Sequence, residues 1–308
     1  MKYLVTGGTG FIGRAIVIDL LEQGHEVVVF DNNFRGKEKI LPSTERIKII
    51  VGDIRDTGAV HAAAFDVESI IHLAFINGTR YFYENPELVV DVGIRGMLNI
   101  ADAAKNHEIK EIILVSSSET YQTPLTIPTP ENVPLVIPDI LNPRYSYGGA
   151  KIASELILVD YCSRFLENWR IVRPHNIYGP NMGEEHVIPA LIKKIESNHD
   201  FLEIQGDGKQ IRSFCFIDDF ISAFRIIMSD SRKNQIYHLG TNEEVTILEL
   251  AQSLLGLMDK KLDIKFGKAN DGETLRRCPD ISKILEMGFM PRHQLKAGLQ
   301  KTISPYKV

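Results

Sequence analysis

Cysteine is scarce. Cys162, Cys215 and Cys278 are the only three in 308 residues, widely spaced and never in a Cys-x-x-Cys pair. That spacing excludes a disulfide framework and a zinc site built on paired thiolates, and it fits a reducing compartment. No stretch reaches the roughly 18 consecutive apolar residues that a membrane-spanning helix needs. A surplus of positive charge is missing too: 35 Lys and Arg stand against 40 Asp and Glu, a formal net charge of -5. Binding of nucleic acid through phosphate neutralisation therefore has no footing. Internal repeats and low-complexity tracts are absent. The chain opens Met1-Lys2-Tyr3-Leu4-Val5 and meets glycines at once, with no room for a charged leader and a long apolar segment. The expectation is a cytoplasmic protein.

What is present is ordinary in bulk and patterned in detail. Hydrophobic residues make up 44% and charged residues 24%, as in soluble globular chains, and the length exceeds one average domain. Short β-branched runs recur at Tyr3-Leu4-Val5, 26–30, 47–51, 69–73, 111–115 and 169–172, with helical stretches between them. Nearly continuous apolar strands alternating with helices imply a parallel sheet covered on both faces. The expected fold is α/β, a Rossmann-type doubly wound parallel sheet over residues 1–180. A smaller C-terminal α/β domain over 181–308 is expected beside it, with segments returning to the first. Helices are predicted near 187–197, 218–229 and 246–258. Six of the 14 prolines fall between Gln122 and Arg144, so that stretch is neither helix nor central strand. We expect this long loop to cover the substrate.

Thr6-Gly7-Gly8-Thr9-Gly10-Phe11-Ile12-Gly13 follows the first strand directly and opens a helix. In that position backbone N–H groups and the helix dipole receive a pyrophosphate, so the cluster predicts a dinucleotide site; a structural turn is the plainer alternative. Asp31 ends the second strand 18 residues beyond Gly13, where a carboxylate accepts hydrogen bonds from ribose hydroxyls. It favours NAD over NADP by charge, although Arg35 and Lys37 are near enough in sequence for dual use. Asp31 as a turn cap is the alternative. Asp53 ends the third strand, within expected reach of an adenine amino group.

Tyr147 and Lys151 stand four residues apart, on one face of a predicted helix. The lysine charge is expected to pull the tyrosine pKa down from about 10, and a phenolate takes a hydroxyl proton while hydride leaves the same carbon. Ser116-Ser117-Ser118-Glu119 follows the fifth strand, at the carboxyl edge where doubly wound sheets bind ligands. Its hydroxyls can share the substrate hydroxyl with Tyr147, or simply cap a helix. Glu119 is either a second acid/base or a solvated loop residue.

At this point the chain resembles the extended short-chain dehydrogenase/reductase family, in its sugar-nucleotide epimerase/dehydratase branch. The likeness spans nearly the whole length. It is carried by the glycine cluster, Gly52-Asp53-Ile54, His72-Leu73-Ala74, Ser116-Ser117-Ser118, Tyr147-Gly148-Gly149-Ala150-Lys151, the stretch Arg173-Pro174-His175-Asn176-Ile177-Tyr178-Gly179-Pro180, and 206–214. The resemblance implies Tyr147 as base assisted by Ser117, with Glu119 beside them and Lys151 also on the nicotinamide ribose. It implies NAD held by Gly7, Gly10, Phe11, Ile12, Gly13, Asp31, Asn32, Asp53, Ile54, Leu73 and Ala74. Ser118, Asn176, Arg212 and Arg277 are implied for the substrate, the last three on its nucleotide diphosphate, and no metal is implied. It also implies a homodimer through helices near 95–106 and 147–163.

Three positions depart from the family pattern. Gly93 stands where asparagine is frequent, seven residues after the proline of Asn85-Pro86, so an ordering contact at the cofactor is expected to be lost or replaced. Thr120-Tyr121-Gln122 replaces Val-Tyr-Gly. Ser117-Ser118-Glu119 replaces the Thr-Asp-Glu of many 4,6-dehydratases, keeping the glutamate without the aspartate.

The function implied is NAD-dependent oxidation at C4 of a nucleotide-linked sugar, leading to 4-epimerisation or 4,6-dehydration. Release of the 4-keto sugar by a 4-dehydrogenase and decarboxylation of a uronic acid are the alternatives. A non-catalytic dinucleotide sensor is the rival from another class.

Overall fold

The computed structural model describes residues 1–36, 40–198, 200–269, 272 and 274–306. Lys37 lies outside them. The chain forms two compact units: Met1–Thr120 with Leu135–Arg173 and Met228–Tyr237, and Tyr121–Pro134 with Pro174–Ile227 and His238–Val308. The crossing comes at Pro174, where the sixth strand ends, and not at residue 181. The proline-rich loop is shared between the units, and the helix ending at Ser229 hands the chain back to the first.

The first unit contains β1 (Lys2–Thr6), α1 (Phe11–Glu22), β2 (Glu26–Asp31), β3 (Ile47–Val51), α2 (Thr57–Ala64), β4 (Ser69–His72), α3 (Thr79–Glu84), α4 (Pro86–Asn106), β5 (Glu111–Val115), α5 (Ser146–Leu156) and β6 (Asn168–Pro174). The sheet order is β11-β6-β5-β4-β1-β2-β3, where β11 (Gln235–Leu239) is one edge strand. Pairing is parallel from β3 through to β6. The order reverses on either side of β1, the switch point at which doubly wound sheets open a crevice.

Why these segments become central strands is visible in their burial. Leu4, Val5, Val29, Ile70, Ile71, Ile112, Ile113 and Leu114 are fully buried, each worth about 1.5–3 kcal/mol of burial free energy. α4 begins on Pro86, whose missing N–H costs nothing in a first turn. Its Asn99 Nδ2 donates to Ile54 O at 2.9 Å, which fixes the residue after Asp53. Beyond α5 the chain continues through a π-helical turn, Ile157–Tyr161.

The second unit holds β7 (Ile177–Tyr178), α6 (Val187–Ser197), β8 (Phe201–Ile204), β9 (Ile211–Ser213), β10 (Cys215–Phe216), α7 (Ile217–Ser229), β12 (Glu244–Thr246), α8 (Ile247–Leu257), β13 (Asp263–Phe266), β14 (Arg276–Arg277), α9 (Ser282–Glu286) and α10 (Leu295–Ile303). The three helices expected here are α6, α7 and α8. β9 is central to a sheet of order β12-β9-β14. Among the described residues no helix is long and apolar enough to cross a membrane.

Candidate active site

A cleft opens at the carboxyl edge of the first sheet, lined in part by Gly7, Gly10, Asp31, Asp53, Leu73 and Ala74. Gly7 adopts φ +70, the left-handed region, and a Cβ there would stand 2.9 Å from the Ala74 nitrogen. Gly13 allows α1 to approach the turn, since its Cβ would overlap the Gly7 carbonyl. Gly10 caps α1 in an extended conformation with no side-chain hydrogen bond, so the helix N-terminus faces the cleft bare.

Asp31 braces this turn. Its carboxylate accepts from the Thr9 N–H at 3.0 Å and the Asn33 N–H at 2.8 Å, and each oxygen keeps a lone pair for another donor. Asp53 is gripped by Arg55, Nε to Oδ1 at 2.9 Å and Nη2 to Oδ2 at 2.7 Å. That bond, with the Asn32 side chain adding to it, holds its pKa below the usual carboxylate range. Arg35 does not turn toward Asp31: its Nη1 donates to Asn77 O at 2.6 Å. The cleft thus offers a helix N-terminus, a carboxylate at the end of β2 and apolar walls, and these fit a dinucleotide.

At one end of the same unit stand the four residues named for chemistry. Ser117 follows β5, its oxygen accepting the Glu119 N–H at 3.1 Å, and it stands near enough to the Tyr147 phenol to lower its pKa. Tyr147 projects from the first turn of α5 and is 5% exposed. Its ring stacks on Phe82 at 5.2 Å and 13° and meets the Phe75 edge at 6.2 Å.

This enclosure corrects the expected pKa of Tyr147. Burial raises it above its ordinary value of 10.0, Ser117 and Arg35 pull it down, and Glu119 pushes it up. Lys151 does not lower it, because its Nζ is directed to Val115 O at 2.6 Å and lies 5.8 Å from the Tyr147 ring centre. Lys151 is itself 2% exposed; burial lowers its pKa well below 10.5, and the Glu155 carboxylate one turn further along α5 works against that.

Glu119 is neither a solvated residue nor an isolated base. Arg144 Nη2 donates to its carboxylate at 3.1 Å, and the two side chains are 12% and 18% exposed. The Arg144 guanidinium also lies 5.4 Å from the Phe82 ring centre. Ser118 is buried in a short 3₁₀ turn, Ser118–Thr120.

Sequence reasoning missed Arg144, Phe75, Phe82 and Glu155. Arg144 had one signal, a cation three residues ahead of Tyr147. Glu155 had a stronger one, a carboxylate four residues after Lys151 on the same helix face.

The second unit gathers the residues expected on a nucleotide diphosphate. Arg212 on β9 and Arg277 on β14 are direct register partners. Arg277 is 4% exposed and donates to Thr274 Oγ1 at 3.0 Å, while Arg212 Nη1 donates to Ile211 O at 2.8 Å. Asn176 adopts φ +42 and its amide donates to Ser213 O at 2.9 Å.

A switch-point cleft that fits a dinucleotide, in the same unit as a Ser-Tyr-Lys set whose lysine touches the cleft-lining Phe75, defines a nicotinamide-dependent oxidoreductase. Comparison with known proteins sharpens that class. The model of the NAD dependent epimerase/dehydratase family matches residues 3–240. A UDP-N-acetyl-alpha-D-glucosaminuronate decarboxylase of Bacillus cytotoxicus is 31% identical over 317 residues, covering 99% of this chain and 98% of the relative. A UDP-glucose 4-epimerase of Mycolicibacterium smegmatis is 29% identical, covering 100% and 99%. Among solved structures, the dTDP-glucose 4,6-dehydratase DesIV of Streptomyces venezuelae, with NAD bound, superposes with a TM-score of 0.90 at 26% identity, covering 100% of this chain and 97% of the other. The chain belongs to the NAD-dependent epimerase/dehydratase family, and its cofactor is NAD.

Proposed function

We propose that the protein oxidises C4 of a nucleotide-linked sugar to a 4-keto species and that the reaction ends in 4-epimerisation or 4,6-dehydration. The observation that carries this reading is the buried Tyr147 phenol on α5, enclosed by Phe75 and Phe82, with Ser117 near enough to lower its pKa and Lys151 one turn further along the helix. Tyr147 takes the proton from the sugar O4 and returns it when the ketone is reduced. Ser117 shares that proton's hydrogen bonds and keeps the phenol oriented. Bound NAD supplies the hydride acceptor and, while oxidised, a positive charge that favours the phenolate. Arg212 and Arg277, side by side on adjacent strands, suit the paired phosphates of a nucleotide diphosphate.

The pairing of Glu119 with Arg144 favours epimerisation of the two outcomes. Elimination across C5 and C6 needs a free base and an acid, and here the base is held by a cation while Ser118 occupies the acid's place. We assign the protein to the cytoplasm on its three buried, unpaired thiols. We also assign it as a homodimer joined by α4 and α5, whose outward faces carry the exposed Val90, Leu98 and Leu156; light scattering that gives the mass of one chain removes that assignment.

The test is a panel of UDP-, GDP-, CDP- and dTDP-sugars followed by product mass and by reduced-nicotinamide absorbance. A 4-epimer of unchanged mass, or a product lighter by one water, agrees with the reading. With Tyr147→Phe the turnover falls by roughly 10²–10⁴-fold, the usual worth of a positioned acid/base. Undiminished turnover in that variant refutes Tyr147 as the base.

A further inference from the structure

The Lys151 Nζ lies 3.2 Å from the centre of the Phe75 ring. Phe75 stands three residues beyond β4, lines the dinucleotide cleft and is 9% exposed. It also packs against Tyr147 in a T-shaped arrangement, the ring centres 6.2 Å apart and the planes at 84°. One aromatic side chain therefore touches both of the α5 residues on which the reaction depends.

The ring reaches this place because residue 93 has no side chain. A Cβ on Gly93 would stand 2.8 Å from Phe75 Cε1 and 2.8 Å from the Ala150 Cβ, so any larger residue displaces the ring or separates α4 from α5. The two helices are tied at this level by Ser154 Oγ, which donates to Gly93 O at 3.3 Å. Gly93 and Phe75 are thus one feature, a gap and the ring that fills it. The asparagine that the family resemblance led us to expect at position 93 is absent, and a π-face occupies the space beside the lysine instead.

An ammonium removed from water needs its donors met and its charge answered. Val115 O meets one donor at 2.6 Å. Glu155 supplies negative charge from the next turn of α5, while His72, on β4, is close enough to act on Lys151 electrostatically. The Phe75 face supplies the rest through its quadrupole, an attraction that strengthens when water is excluded.

We propose that Phe75 is a positioning residue for Lys151: seated in the gap left by Gly93, its ring face binds the ammonium and fixes it at the floor of the dinucleotide cleft. This rests on the reading of Lys151 as a cofactor-holding residue of the site above. A ring that acts through its quadrupole is separable from one that only fills space. Fluorine drains the negative charge from the ring face and barely alters its shape.

The experiment replaces Phe75 in the full chain with mono-, di- and trifluorophenylalanine and titrates NAD by fluorescence, with no sugar present. NAD affinity falls stepwise along the series, by roughly tenfold at the trifluoro residue, given the ordinary worth of a desolvated cation–π contact. The second readout is the Lys151 Hε resonance, which the ring current shifts upfield. That shift is lost in Phe75→Leu and kept in Phe75→Tyr. Affinity that stays flat across the fluorinated series, or a Lys151 resonance at its ordinary position in the parent protein, overturns the proposal. Neither readout depends on sugar turnover, so failure here is distinct from failure of the C4 chemistry. If Phe75→Leu does not fold, the fluorinated series still decides.

Discussion

Glu119 and Arg144 form an ion pair across 25 residues of sequence, Nη2 to Oε2 at 3.1 Å, with both side chains more than four-fifths buried. A carboxylate so placed keeps its charge because the guanidinium is there, and the guanidinium is in turn held against the face of Phe82, on which Tyr147 stacks. The pair therefore bears on both the folding energy and the seat of the Tyr147 phenol.

Breaking it from the cationic side is expected to be costly. Arg144→Met leaves Glu119 buried beside an apolar chain and lowers stability by about 3 kcal/mol, the usual loss when one member of a buried pair is removed. Glu119→Gln keeps a hydrogen-bond acceptor but leaves the Arg144 guanidinium buried without its counter-charge, at a comparable cost. Urea unfolding monitored by circular dichroism measures both. If Glu119 is held mainly as a structural anion, Glu119→Gln changes the midpoint while single-turnover C4 oxidation stays within a few-fold of the parent. A collapse of that oxidation at unchanged stability returns Glu119 to the chemistry.

His72 sets a pH limit on the fold. It is fully buried; its Nδ1 faces Thr6 Oγ1 at 2.7 Å. The same Thr6 oxygen accepts the Leu73 and Ala74 N–H groups. Burial, with the Lys151 charge adding to it, depresses the His72 pKa from 6.5 to about 3. Between those two values the unfolded chain binds a proton that the folded chain refuses. Stability is therefore fully present above pH 6.5 and is lost as pH falls toward 3. The expected slope is about 1.4 kcal/mol per pH unit for this one proton. His25 is depressed as well, by partial burial, so the comparison is made against His72→Asn. Urea midpoints at pH 6.5, 5.75 and 5.0 converge between parent and variant; parallel lines mean that His72 does not carry the limit.

Much of this was legible in residue order. The apolar runs at 26–30 and 111–115 became β2 and β5, because a strand covered on both faces is apolar nearly throughout, while the run at 47–51 became β3, an edge strand whose Ile49 and Val51 are exposed. Asp31 at the end of β2 was legible for the same reason, as the first polar residue where the strand leaves the core. The Tyr147 pKa was not. Four-residue spacing says that two side chains share a helix face, but not that Lys151 extends to the Val115 carbonyl or that two phenylalanines from 75 and 82 enclose the phenol. The Glu119–Arg144 pair was hidden by the proline-rich loop, whose path no local rule fixes. Gly93 was noticed as a departure, yet only the packing of α4 on α5 identifies what takes up the space.

The last expectation concerns the pair behind Lys151. Glu155 is 4% exposed and Arg173 is 3% exposed. Arg173 donates to the carboxylate through Nε at 3.0 Å and Nη2 at 2.5 Å, and Ser116 Oγ donates to the same carboxylate at 2.5 Å. Ser116 also ties β5 to β6, its N–H donating to Val172 O at 2.7 Å. One carboxylate thus joins α5, one turn after Lys151, to the strand end that presents Ser117 and to the strand that carries Arg173. Glu155→Gln keeps the shape and leaves Arg173 buried without its counter-charge, at a cost of about 3–5 kcal/mol. Glu155→Leu strands the same guanidinium, and the double variant Glu155→Leu with Arg173→Met removes both charges and recovers most of the loss of either single variant, so the two substitutions are strongly non-additive. The double variant nevertheless turns over sugar more slowly than its stability alone allows, because Ser116 no longer has the carboxylate that anchored it and Ser117 moves relative to Tyr147. A double-mutant cycle in urea measures the coupling, and the ratio of turnover to folded fraction measures the displacement. Additive stabilities, or full turnover per folded molecule, make the pair independent of the site.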